Sequence, residues 1–279
     1  MRNPHAFSER SERKSPVRKV WSDMLEVKGI SVHFGGLKAV EKVDLKVGKG
    51  EILSLIGPNG AGKTTFFNLV SGFLRPHEGN TVFKGRDITH LPPHRIAALG
   101  LVRTFQKTNI FADIDVVESV RIGFSSCRTA SFPDILLQGK QSRREQEYVK
   151  ERTDELLHFT GLFGLRRCLV KNIPYGKQRM LAIALALATD PELLLLDEPA
   201  TGLNPVETDE LRDIILRIRS ERGITIFMIE HNMNLVASIS DRVVVLNHGE
   251  KLAEGLPSEI ARDPLVVEAY LGRGYSHAP

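Results

Sequence analysis

The chain has 279 residues, of which 42% are hydrophobic and 26% charged, with a net charge of +4. That suits one large or two small domains with a proper core, and it argues against a dominant nucleic-acid surface, since a mild interleaved excess of Lys and Arg reads as a solvated face. Two cysteines give no disulfide framework, and the longest purely apolar run, MLAIALALA at 180–188, is too short to cross a bilayer.

Residues 1–22 are polar and basic, without the apolar stretch of a secretion signal, and read as a disordered leader. From Met24 the pattern is β-like: LEVKGISVHF, KVDLKV and EILSLI are short apolar or alternating runs bounded by glycine. A helix is predicted over Lys63–Ser71. A strand follows at NTVFKG, a proline-started helix over Pro92–Leu99, and a strand at LVRTFQ. From Val116 to Cys168 the β signals fade, and 141–162 has one apolar face opposite many charges. Alternation then resumes. GKQRMLAIALALA reads as a helix, ELLLLDEP as a strand, and VETDELRDIILRIRSERG as a helix stopped by Gly223. ITIFMIE is a strand, HNMNLVASI a helix, DRVVVLNHG and EKLAEG strands, and PSEIARDPLVVEAYLG short helices. The expected fold is an α/β core with an antiparallel β subdomain in front and a helical insertion.

The loop GPNGAGKT, residues 57–64, lies between a strand and a helix and meets the spacing G-x-x-x-x-G-K-[ST] with Gly57, Gly62, Lys63 and Thr64. Small residues let backbone N–H groups wrap closely around phosphate, and the helix N-terminus adds further donors. Gly57, Pro58, Asn59, Gly60, Ala61, Gly62, Lys63, Thr64 and Thr65 are therefore candidates for binding a nucleoside triphosphate, as in a P-loop NTPase core, with Thr64 also a ligand for Mg²⁺. Four leucines before Asp197 fit a strand buried on both faces, which delivers the acid to the sheet's carboxyl edge. Asp197 is expected to hold Mg²⁺ through water and Glu198 to polarise the attacking water. The two acids are expected to point apart on an extended chain, at the end of a strand neighbouring the one before the loop.

From about Met24 to Gly272 these pieces, taken in order, resemble the ATP-binding cassette family. HFGGLKAV, LIGPNGAGKTTFFNLVSGF, LGLVRTFQ, YGKQR, the GLNP turn and PLVVEAYLG resemble the larger ATPase subunit of branched-chain amino acid importers. The resemblance implies a domain over 23–272, a helical subdomain over about 107–178 and a tail at 273–279. It implies that Phe34 stacks on adenine, that Gln106 senses Mg²⁺ and touches the membrane partner, and that His231 is the switch histidine. It places IPYGK at the signature position, where Tyr175, Gly176 and Lys177 cap the ATP of a second copy or a paralogue. The common form there is LSGGQ; Pro174 removes a hydroxyl and an N–H, and Lys177 is expected to compensate partly with its charge. Permease subunits are the implied partners, riding on a groove with Arg103, Gln106 and Phe111 as candidate lining. A periplasmic solute-binding protein is linked indirectly, no nucleic acid is implied, and the location is the cytoplasmic face of the plasma membrane. Three alternatives remain at this point: the ATPase of another transporter, such as a lipid or lipopolysaccharide exporter; a soluble cassette outside transport; and a non-hydrolysing regulatory subunit, suggested by Pro174.

Overall fold

A computed structural model describes residues 21–104, 112–124 and 140–271. Gln106, Phe111, most of the basic leader and the tail at 273–279 lie outside the described residues. Two sheets organise the chain. The first strands, β1 (Asp23–Phe34) and β2 (Leu37–Gly48), pair antiparallel. With β4 (Glu78–Phe83) and β5 (Arg86–Asp87) they form a sheet of order β2-β1-β4-β5. Trp21 lies against Gly48, and the Ser22 carbonyl accepts from Lys49 N at 2.9 Å, so the fold begins slightly ahead of β1.

The second sheet is mostly parallel. It contains β3 (Ile52–Ile56), β6 (Leu101–Arg103), β7 (Leu193–Asp197), β8 (Thr225–Ile229), β9 (Arg242–Asn247) and β10 (Glu250–Gly255), in the order β10-β9-β3-β8-β7-β6. Only β10 runs antiparallel to its neighbour. Every residue of β3, β7 and β8 is buried, as central strands covered on both faces require. Strand alternation splits them between two cores. Ile52, Ile56, Leu194, Leu196, Ile226 and Met228 face one, with the helical layer; Leu53, Leu55, Leu193, Leu195, Phe227 and Ile229 face the other, with the antiparallel sheet.

One expectation changes. The strand that ends in Asp197 does not neighbour the strand before the glycine loop, because β8 lies between β3 and β7. Crossover order is a tertiary property, and the local patterns of β7 and β8 are equally apolar.

The helices are α1 (Lys63–Val70), α2 (Pro93–Ala98), α3 (Val116–Gly123), α4 (Lys140–Phe159), α5 (Tyr175–Leu187), α6 (Pro205–Arg222), α7 (Met233–Ile239), α8 (Pro257–Ile260) and α9 (Pro264–Leu271). Gly223 ends α6 with φ 67°, a left-handed stop that glycine adopts without the Cβ clash. Among the described residues no helix is long and apolar enough to cross a membrane.

Candidate nucleotide site

The loop between β3 and α1 is built around two glycines that admit no side chain. A Cβ on Gly57 would stand 2.2 Å from the Leu246 carbonyl oxygen, and one on Gly62, whose φ is 98°, 2.3 Å from that of Ala39. Gly249 N donates to Ala61 O at 3.0 Å and Glu41 N to Gly249 O at 2.8 Å, so the β9–β10 turn fastens the loop to β2. The result is a cleft of about 400 Å³. Asn59, Gly60, Ala61, Gly62, Lys63, Thr64 and Thr65 line it together with Phe34, Leu37, Lys38, Ala39, Glu198 and His248. Gly57 and Pro58 form its base through their carbonyls, which accept from Lys63 Nζ at 2.7 and 2.9 Å. Burial pushes the Lys63 pKa down, against the opposing pull of Glu198. A polyanion in the cleft would supply the charge that these two neutral carbonyls lack.

Phe34 is 51% exposed at the mouth, open for a planar group to stack on. Lys38 and His248 were not singled out from the sequence. They arrive from the start of β2 and from the β9–β10 turn, and only the fold brings them to the cleft.

Asp197 ends β7 and is buried. Its Oδ2 accepts from Arg103 Nη2 at 2.7 Å, while its Oδ1 is buried without a hydrogen-bond partner. Such an atom carries a desolvation penalty until a donor or cation meets it. Arg103 also donates to Asn68 Oδ1 at 2.7 Å and to Ser71 Oγ at 3.2 Å, and its guanidinium lies over the Phe67 and Phe73 rings. Arg103 was expected to line an outer groove. Its side chain is instead 9% exposed and committed inward, because β6 is the edge strand beside β7 and turns this residue toward Asp197.

Glu198 separates from Asp197 by a different device from the one expected. The chain is not extended there: Glu198 has φ 46°, a left-handed conformation that costs roughly 1–3 kcal/mol in a residue with a Cβ. Glu198 N donates to Ile229 O at 3.0 Å, which holds the turn. One fully buried Leu of β7 contributes a similar 1.5–3 kcal/mol or so, enough to offset that strain. The turn sends Glu198 into the cleft while Asp197 stays beneath it.

Glu230, the residue before His231, was missed as a site residue because it reads as the end of an apolar strand. It is fully buried. Its Oε1 accepts from Ala200 N at 2.8 Å, and its Oε2 from His231 N at 2.9 Å and Asn232 N at 3.0 Å. Bonds to an ionised acceptor contribute about 1.5–3 kcal/mol each, which offsets the several kcal/mol that desolvating a carboxylate costs. The His231 side chain is 56% exposed, and it is not among the residues lining the cleft.

Tyr175, Gly176 and Lys177 also lie away from that cleft, in the first turn of α5. Pro174 occupies the N-cap rather than the first helical position, and no side chain caps the turn. Gly176 packs against α6, where a Cβ would meet Glu207 Oε1 at 2.5 Å. Tyr175 is 48% exposed, lies against Gly202 and accepts from Arg179 Nη2 at 2.6 Å. Lys177 Nζ pairs with Glu210 Oε2 at 2.7 Å, so its charge is engaged within its own chain.

The arrangement fits an Mg-bound nucleoside triphosphate: a glycine cradle that no side chain can fill, a buried lysine, two threonine hydroxyls, and a buried acid with an orphan oxygen. Comparison with known proteins agrees. Residues 40–201 match the family model described as ABC transporter, and residues 250–276 match one described as branched-chain amino acid ATP-binding cassette transporter. The high-affinity branched-chain amino acid transport ATP-binding protein BraF of Pseudomonas aeruginosa is 43% identical over 249 residues, 89% of this chain and 98% of the relative. The LivG protein of Escherichia coli K12, with the same description, is 43% identical over 250 residues, again 89% and 98%. The ADP conformation of MJ1267, an ATP-binding cassette of an ABC transporter, superposes with a TM-score of 0.79 at 32% identity, covering 90% of this chain and 100% of that one.

Proposed function

Because the chain belongs to the ABC transporter family, we propose that it is the ATP-hydrolysing subunit that energises import of branched-chain amino acids. The observation that carries ATP binding is the convergence of Lys63, Thr64, Thr65 and Glu198 on one cleft. The match of residues 250–276 and the relatives BraF and LivG support the solute class. Solute specificity resides in other subunits on this reading, since the cleft is built for a polyphosphate.

The phosphate-loop amides and Lys63 hold the β- and γ-phosphates, and Phe34 receives the adenine ring. Thr64 would hold Mg²⁺, with the orphan oxygen of Asp197 acting through its water shell and Gln106 as the residue that senses it. Mg²⁺, when bound, neutralises phosphate charge. Glu198 orients the attacking water and accepts its proton, and His231 senses the γ-phosphate. Tyr175, Gly176 and Lys177 face the nucleotide of a second cassette, identical or paralogous, so that ATP joins two subunits and its cleavage releases them. The chain then lies peripherally on the cytoplasmic face, against its permease.

The test is phosphate release by the purified chain, alone and reconstituted in vesicles with the permease and solute-binding subunits that co-purify with it. The reading predicts Mg-ATP hydrolysis that rises with the complex and drives uptake of leucine, isoleucine or valine. Hydrolysis without such uptake, but with transport of a lipid, would reassign the solute; no hydrolysis in either state would overturn the reading.

A further inference from the structure

Glu230 lies one residue beyond β8, and its carboxylate ties together the two loops that leave the paired strands β7 and β8, past the last backbone bond between them, Glu198 N to Ile229 O. One oxygen accepts from Ala200 N at 2.8 Å, in the loop that follows β7 and Glu198. The other accepts from His231 N at 2.9 Å and Asn232 N at 3.0 Å, in the loop that follows β8. The residue is 0% exposed; these three amides are its hydrogen-bond donors among the described residues, and His231 Nδ1 stands 4.0 Å from Oε2. The Ala200 loop continues to Gly202, against which the Tyr175 ring lies, so the same loop touches the start of α5.

A carboxylate suits this place because both its ends only accept, and both loops present only N–H groups to it. Serine or threonine could reach one loop at most. Asparagine is too short, and glutamine would turn an NH₂ toward backbone N–H donors on one side.

We propose that Glu230 is a positioning residue that clamps the loop after β7 to the loop after β8, holding His231 at a fixed spacing from residues 199–204. The inference rests on the ATPase reading for its consequence, but the clamp itself is a property of the single chain.

The experiment is Glu230→Gln in the full-length chain, alone and combined with His231→Ala, followed by steady-state ATP hydrolysis and nucleotide titration. The clamp predicts a fall in kcat of about 10-fold or more, with KM and nucleotide affinity within about two-fold of the parent. In the His231→Ala background the same substitution should cost less than about two-fold, because its effect runs through His231. An unchanged kcat, a loss confined to nucleotide affinity, or an equal loss in both backgrounds would overturn the proposal. Should Glu230→Gln not fold, amide exchange on the unaltered chain decides. The amides of Ala200, His231 and Asn232 should exchange at one common rate, opening as a unit, and a His231 amide exchanging far faster than that of Ala200 would contradict the clamp. That measurement needs no hydrolysis, so it separates failure of the clamp from failure of the ATPase reading.

Discussion

Two helix N-termini in this chain share one local chemistry and differ in what surrounds them. Both α1 and α5 begin without a side-chain cap, α1 after Gly62 and α5 after Pro174, and each carries a lysine in its first turn. At α1 the lysine is buried over the cleft with Glu198 beside it. At α5 the lysine is held by Glu210, and none of Tyr175, Gly176 or Lys177 reaches the same cleft. Uncapped first-turn amides and the helix dipole make either terminus a site for anions. On the proposed reading the first meets its phosphates within one chain. The second lies away from that cleft, as its proposed role toward the nucleotide of a second cassette requires.

That contrast predicts separable effects, and the largest belongs to α1. Lys63→Ala should weaken Mg-ATP binding by about 100-fold or more in calorimetric titration, within the roughly 2–5 kcal/mol that truncating one partner of a buried charge pair costs. Since the phosphate-free lysine is disfavoured by burial, the same change should leave thermal stability without nucleotide nearly unaltered. A collapse of stability with intact binding would reverse the assignment. Gly176→Ala, at the other terminus, pushes a Cβ toward Glu207, whose side chain also meets Asn204 N at 3.0 Å in the capping box of α6. Turnover should fall about 10-fold with nucleotide affinity unchanged, accompanied by about 1 kcal/mol of lost stability from the disturbed cap. Loss of single-chain affinity would mean that α5 serves its own cleft after all. The smallest effect is expected of Lys177→Gln. A partly exposed pair such as Lys177–Glu210 contributes below about 1 kcal/mol, and turnover should change by less than about two-fold. A larger fall in turnover would show that Lys177 leaves Glu210 for a phosphate.

The same contrast explains what could be read from the residues alone. The phosphate loop was legible because its constraint is written in residue type: Gly57 and Gly62 stand where the chain presses on the carbonyls of Leu246 and Ala39, only glycine fits, and the spacing to Lys63 records it. The β7 strand was legible because four buried leucines leave an acid nowhere to emerge but at its end. The pairing of Arg103 with Asp197 was hidden, since 94 residues separate them and an arginine in LVRTFQ carries no mark of burial. Glu230 was hidden for the converse reason. It sits at the end of a strand, and its three partners are backbone amides, which leave no trace in residue type. The left-handed turn at Glu198 is likewise invisible in sequence, because Ile229 O holds it through the neighbouring strand.

The central claim is that one chain holds the triphosphate and a second closes over it, with Glu198 orienting the water that cleaves it. Glu198→Gln sedimented with and without Mg-ATP tests this most directly. The account predicts a fall in turnover of about 100-fold or more and a stable ATP-dependent dimer, monomeric again when nucleotide is withdrawn. A variant that stays monomeric in saturating Mg-ATP, or that hydrolyses ATP at the parent rate, would contradict it.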